Sequence, residues 1–494
     1  MSRMPAAACW HNGKKIYGQR KGRTRMHPFL KKLIGFSIGP VAGAALSFLT
    51  IPLTTLFIRP EEYGKAGLFL LLQSLIGSFL FLGIDQAYTR DYHEARDKTT
   101  FFQNALLIPL GFALLLFLIT LLMPQWIAQT LFGQKNQLLA AVLFGLMIVF
   151  MVLERFILLS LRMQEKALEY SLLNIFVKFT VLVLTLIFVL WVRRDFLAVV
   201  YSTILGQIAG DCYLLIRYRQ LFNLRHFALD RALLGAMLRF GLPILIATSL
   251  SGLLNGFNRI ALRLWSDFAQ LGIFTATVKI AALLAIIQTS FTTFWVPTAY
   301  RWFSEGRKAA DFQQVSEGVL LILSVLASLI FIFKNLIVAL LSARYADTRL
   351  LIGFLCLQPL IYTLSETTGL GIVFSKRSTL SIWVSVIALI PGLLLNILLV
   401  PRWGAVGAAI ATAVSYLFFF AARSYFSARC WQRLHLVRHY AVILLLFLAA
   451  LANLLPVSGL TTLNLIVLAV LLGMQWRTIK NLAEWFRHQE GIRS

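Results

Sequence analysis

The residues best placed to do chemistry in this 494-residue sequence are the ionisable ones set inside long apolar stretches. Burying such a group in hydrocarbon costs on the order of a few kcal/mol, so each demands a reason. Lys178 and Lys279 each lie about ten residues from the nearer end of an apolar run, too deep for easy snorkelling. Arg259, Arg263, Arg59 and Lys65 cluster near the ends of other runs and extend a positive surface. Lysine and arginine attract phosphoryl oxygens, and arginine grips them bidentately, so this set suits a phosphate or an acidic sugar. Four acids form a second group: Glu366, Glu154, Asp211 and Asp85. An acid in such surroundings loads a proton or holds sodium, and so can couple an ion gradient to movement of a solute.

Each of these residues also has a plain structural alternative. Lys178 can pair with Asp211 or Glu154, and the four peripheral cations can reach lipid headgroups. Asp85 and Asp211 lie close enough to helix ends to serve there, which leaves Glu366 the better coupling candidate. Arg155 follows Glu154 directly and Lys334 lies near the end of its run, so local neutralisation or lipid contact is the simpler reading for both.

The elements that must position these groups follow from composition. The chain is 59% hydrophobic and only 13% charged, about half the charge of a soluble protein, which excludes a soluble globular fold. Its 46 Lys and Arg against 20 Asp and Glu give a net charge of +26. That charge falls in loops between apolar runs, alternating rich and poor, which argues for membrane topology and against nucleic-acid binding. Cys9, Cys212, Cys356 and Cys430 are scattered, so neither a structural disulfide nor a metal site is expected.

The predicted fold is all-α and integral to the membrane. Its roughly fourteen transmembrane helices run near 33–58, 66–84, 105–123, 138–159, 168–192, 196–216, 238–258, 270–299, 317–341, 350–373, 379–400, 404–422, 439–455 and 461–476. With the N-terminus inside, Lys and Arg of inner loops outnumber those of outer loops by roughly three to one, which places both termini in the cytoplasm. The outer loops are too short to hold a catalytic domain.

A shift of about 205 residues lays Glu62–Phe69 over Asp267–Phe274, an acid, an aromatic, a small residue and a Gly-[Leu/Ile]-Phe triplet in order. Pro40 and Pro243 fall at matching places in the first helix of each half. The organisation read from this is a basic tail (1–32), a six-helix bundle (33–219), a linker (220–237), a second six-helix bundle (238–428), two further helices (429–476) and a tail (477–494). Repeated halves around a midplane site are transporter architecture.

At these residues the sequence resembles a known family. Val278-Lys279-Ile280-Ala281, then Phe294-Trp295-Val296-Pro297-Thr298-Ala299-Tyr300, is similar to the pattern of the polysaccharide-transporter branch of the multidrug/oligosaccharidyl-lipid/polysaccharide (MOP, MATE-like) superfamily. Further agreement comes from Ser37–Pro40 through Pro60–Gly64, from Gly369–Ile372 with Ser375-Lys376-Arg377, and from Asn396–Pro401 with Gly404 and Gly407–Thr412. Ile84–Arg90 is similar to the second cytoplasmic loop of Wzx-type O-antigen and exopolysaccharide flippases. Where that family often has Asp-Arg, this chain has Asn258-Arg259.

The resemblance implies two bundles around a V-shaped cavity and a bacterial inner-membrane flippase for undecaprenyl-diphosphate-linked oligosaccharides. It needs no cofactor beyond H+ or Na+ coupling, assigns Lys279 to the cationic cavity, and suggests a polysaccharide polymerase and chain-length machinery as partners. A lipid II flippase and a drug/cation antiporter share the fold; a membrane polymerase or glycosyltransferase is the rival of a different class.

Overall fold

The computed structural model describes residues 28–223, 227–375, 377, 379–455, 459–481 and 484. Expectations placed on residues 1–27, Lys376 and the last ten residues lie outside these. The described residues form helices and no strands. In order they are α1 (Pro28–Phe57), α2 (Pro60–Leu80), short α3 (Ile84–Asp91), α4 (Lys98–Leu122), short α5 (Pro124–Phe132), α6 (Leu138–Met163), α7 (Ala167–Ile187, continued to Val192 by a π turn) and α8 (Phe196–Arg217). Then come α9 (Arg231–Trp265), α10 (Phe268–Ser304), α11 (Ala309–Ile332), short α12 (Lys334–Ala339), α13 (Thr348–Thr368), short α14 (Leu370–Phe374), α15 (Thr379–Cys430), α16 (Val437–Ala452) and α17 (Leu460–Met474).

Nine of the described helices are long and apolar enough to cross a bilayer, and shorter apolar stretches in α1, α16 and α17 add to them. α15 is two arms: at Gly404 the backbone takes φ 51° and ψ −127° and the chain doubles back, bringing Gly392 against Ser415 and Gly407 against Leu399. With both arms counted and α9 included, the described residues hold fourteen apolar helical segments, an even number, so the start of α1 and the end of α17 lie toward one side, the terminal face.

Some helices outrun their expected bounds. α9 starts at Arg231, seven residues before position 238, because the Asp230 carboxylate accepts from the Leu233 amide and caps the helix there. α10 is capped by Asp267, which accepts from the Gln270 amide, and continues to Ser304. At 35 and 37 residues these two exceed the roughly 20 needed to span hydrocarbon, so they project beyond it. The second arm of α15 likewise continues past position 422 to Cys430.

Following chain order, α1, α2, α4, α6, α7 and α8 are called the first bundle and α9, α10, α11, α13 and the arms of α15 the second. They meet where α2 crosses α10 and α9 and where α3 packs on α9. Two of these crossings are backbone on backbone. Near the face opposite the termini, a Cβ on Gly64 would overlap the Phe268 carbonyl, and one on Gly272 would overlap the Pro60 carbonyl. Toward the terminal face, Gly83 (φ 71°) and Gly241 press together so that neither has room for a side chain. The register of the first crossing, 64 with 272, differs from the 205-residue repeat. The acids matched by the repeat also serve different ends, since Asp267 caps its own helix, whereas Glu62 accepts from the Phe196 amide at the start of α8.

α16 and α17 dock on α11 through buried polar groups at three depths. Ser316 Oγ lies 2.9 Å from His439 Nε2 and 2.8 Å from Thr367 Oγ1. Gln475 donates to Ser324 at 2.8 Å, and Lys334 donates to Asn453 Oδ1 at 2.7 Å. Asn464 extends the last set, donating to the Phe331 carbonyl. In hydrocarbon such groups have no water to fall back on, so these pairs specify which helix face docks.

Candidate functional site

Lys279 lies on α10 where the two bundles meet. Its Nζ donates to the Tyr63 hydroxyl of α2 at 2.9 Å and sits 5.2 Å from that ring's centroid. Arg259 on α9 lies within electrostatic range of the same phenol, and its Nε is buried with no hydrogen-bond partner among the described residues. Two cations from the second bundle therefore converge on one neutral side chain of the first, with no carboxylate in ion-pair distance among the described residues. Tyr63 is only 1% exposed and meets Tyr345 edge-on at 6.0 Å. Tyr345, in the loop before α13, donates to the Ile58 carbonyl at 3.0 Å, and burial raises its phenol well above the ordinary range, so it stays a donor. Cations left facing a phenol have unspent capacity for an anion.

Nearer the face opposite the termini, the Lys65 and Arg263 side chains flank the Phe268 ring, at 5.9 and 4.5 Å from its centroid. Lys65 is neutralised by Glu62 at 2.6 Å, one helical turn before it. Arg59 is exposed in the α1–α2 turn. Of the expected cations, Lys279 and Arg259 face Tyr63, Lys65 and Arg263 flank Phe268, and Arg59 is exposed in the turn. Lys178 is on α7 beside Gly43 of α1, within electrostatic range of Glu154 and Asp211 rather than of the Tyr63 cluster.

The four acids divide too. Asp85 accepts from the Arg155 guanidinium at 2.7 Å and from Gln86 at 2.9 Å. Arg155 therefore reaches across to α3, correcting the expectation that it is neutralised by adjacent Glu154 or faces lipid. Glu366 accepts from Arg423 at 2.8 Å, and Arg423 also donates to Ser365. Glu154 and Asp211 differ, since both accept from one Gln207 amide, at 2.7 Å and at 3.1 Å, and neither has a cation in ion-pair distance among the described residues. Two carboxylates clasped by one amide, with Lys178 near, can take up a proton or a small cation.

Tyr63, Gln207 and Arg423 escape a reading based on charge within apolar runs. Tyr63 and Gln207 are uncharged, and Arg423 falls one residue beyond the expected end of its helix, where it counts as a loop charge. Among the described residues no group of three or more His, Cys, Asp or Glu side chains is arranged to hold a metal. The second bundle also holds a partly open cavity of about 380 Å³ between α9, α13 and the arms of α15.

Comparison with known proteins adds a family and a fold. A family described as polysaccharide biosynthesis protein matches residues 29–303. No curated protein matches. Among solved structures the chain is similar to the lipid II flippase MurJ in an inward closed conformation, with TM-score 0.67 and 12% identity over 92% of this chain and 99% of that one. It is also similar to a multidrug resistance MATE family transporter of the MOP superfamily. The inward-facing form gives TM-score 0.55 and 16% identity over 81% of this chain and 97% of that one. The outward-facing form gives 0.54 and 14% over 81% and 95%. At these identities the likeness is one of fold: a multi-pass membrane protein built as MOP-superfamily transporters are.

Proposed function

The chain belongs to the polysaccharide biosynthesis protein family, and from that premise we propose that it is a flippase for undecaprenyl-diphosphate-linked oligosaccharide repeat units. It moves them from the cytoplasmic to the periplasmic leaflet of a bacterial inner membrane, with both termini in the cytoplasm, for assembly of a surface polysaccharide. The observation that carries this reading is the convergence of Lys279 and Arg259 on Tyr63 at the junction of the bundles. A diphosphate offers what these cations lack, an anionic oxygen in place of a phenol, while the polyprenyl tail stays in lipid. The bundles then rock about their crossings and expose the headgroup to the other side. No covalent step is required.

The coupling ion is assigned to Glu154 and Asp211, because Glu366 and Asp85 are already engaged by arginines. A proton or sodium ion there would offset part of the negative charge near Lys178. A polysaccharide polymerase and its chain-length machinery would take the product at the outer leaflet.

Deletion of the gene tests the reading, with mass spectrometry of undecaprenyl-linked intermediates beside an assay of surface polymer. Complete repeat units should accumulate facing the cytoplasm while surface polymer is lost, and Lys279→Ala should reproduce this at normal membrane abundance, with Lys279→Arg restoring part of the export. Periplasmic accumulation of unpolymerised units would make the protein a polymerase instead. The fold likeness to MurJ favours one second reading, a lipid II flippase, which predicts build-up of the peptidoglycan precursor in the same extract.

A further inference from the structure

The cavity of about 380 Å³ lies wholly within the second bundle and is not part of the Lys279 cluster. Its lining is polar for a site at membrane depth. Asn258 of α9 donates to Thr412 at 2.8 Å, and Asn396 donates to Asn258 at 2.7 Å. Gln358 of α13 donates to the Tyr416 hydroxyl at 3.0 Å. Asn396 is 1% exposed, yet its Oδ1 is buried with no partner among the described residues.

The charge of the lining narrows the ligand. No carboxylate lines the cavity among the described residues, so there is no fixed negative charge for a metal cation. Its charged side chain, Arg423, is paired with Glu366 at 2.8 Å, so the lining carries little net positive charge for an anion. What is left is neutral: amides and hydroxyls, which both donate and accept, beside flat aromatic faces. The Tyr362 and Phe419 rings stack 5.5 Å apart at 19°, and the Arg423 guanidinium lies 5.6 and 5.8 Å from their centroids. Along α15 the lining runs from Ser381 to Asn396, about 22 Å at 1.5 Å per residue, a slot rather than a pit.

We propose that this slot is a saccharide-binding site, taking a neutral, hydroxyl-rich sugar unit apart from the cations that hold phosphate. Sugar hydroxyls match the amide and hydroxyl lining, and the apolar face of a pyranose lies on an aromatic wall. The proposal deepens the flippase reading and rests on it for its biological meaning: the headgroup is recognised in two parts, charge at the junction and sugar within one bundle. Because the slot belongs to a single bundle, rocking of the halves would carry a bound sugar without dismantling its site.

The test uses the full-length protein in lipid nanodiscs and free sugars without lipid or phosphate. Saturation-transfer NMR is run with glucose, galactose, N-acetylglucosamine, lactose and maltose at millimolar concentration. At least one sugar should receive saturation, and the signal should fall at least fivefold in Ser385→Trp, which fills the slot, and in Gln358→Leu, which removes an amide at nearly constant size. Both variants are checked for wild-type elution and melting. Absence of saturation for every sugar overturns the proposal, as does an undiminished signal in the folded variants. A rise in melting temperature with sodium that is lost in Asn258→Leu would make the slot a cation site and overturn it equally. Sugar binding with an unchanged undecaprenyl-linked pool after gene deletion would keep the site and reject the flippase reading, so the two failures are distinguishable.

Discussion

A charge in hydrocarbon is read by what it touches, and Glu366 shows how far a partner alters the reading. Standing alone on its helix, it is the natural residue to load an ion. Paired with Arg423 at 2.8 Å, both side chains largely buried, it is half of a fixed unit that closes one end of the slot. Removing one partner of such a pair strands the other charge, at a cost of about 3 kcal/mol. Glu366→Gln should therefore lower the melting temperature of the purified protein, and Arg423→Gln should do the same. The double variant should recover most of the loss, since it strands neither charge. A strictly additive double variant would show that the pair contributes no coupling. Gradient dependence of export should persist in the double variant and be lost in Asp211→Asn, where the carboxylate pair held by Gln207 is broken.

The helices themselves are legible from sequence because a run of some twenty apolar residues is the strongest signal a membrane protein carries. Their ends are less so, since a helix can continue beyond its apolar run, from a cap as at Asp230 or through polar residues as in Arg423–Cys430. Which faces meet is not legible at all. Tyr63 lies in the charged start of α2, beside Glu61, Glu62 and Lys65, and nothing there says that Lys279, on a helix 216 positions later, will donate to it. The candidate cations could be named by depth, but their division into separate clusters depends on inter-helix register. Gly404 belongs to this scale. Its φ and ψ fall where an L-residue with a Cβ is strained by about 1–3 kcal/mol. Gly404→Ala should reduce the melting temperature and the fraction of monodisperse protein after solubilisation, whereas Gly318→Ala, inside α11 with open space around its Cβ position, should not.

At the scale of the whole molecule the last two helices are parts of the second bundle. Ser316, Ser324 and Lys334 each find a buried partner on α16, α17 or the turn between them. A chain ending after Cys430 would take the Asn453 oxygens from Lys334 and the α16 and α17 partners from Ser316 and Ser324, leaving that face of the bundle to lipid tails. Such a truncation should give little folded protein by fluorescence-detected size exclusion, even though twelve crossings remain. A monodisperse truncated protein with wild-type melting would show that the polar pairs are dispensable. On the proposed rocking mechanism the cations lie at the junction of the bundles and the slot inside one of them, so substitutions at the two should differ in kind: those at Lys279 alter movement, those at Gln358 alter which sugar is moved.

The backbone contacts at Gly64–Gly272 and at Gly83–Gly241 lie toward opposite sides of the membrane. For a geneticist they are a pair of opposed alleles. A side chain at Gly64 wedges one end apart and one at Gly241 wedges the other, so each alone should skew the resting population in its own direction and impair export. Combined, the two defects oppose each other, and a screen for restored surface polymer in a Gly64→Ala strain should return second-site suppressors at Gly83 or Gly241. Suppressors confined to the Gly64–Gly272 end would mean that the two contacts do not trade against each other.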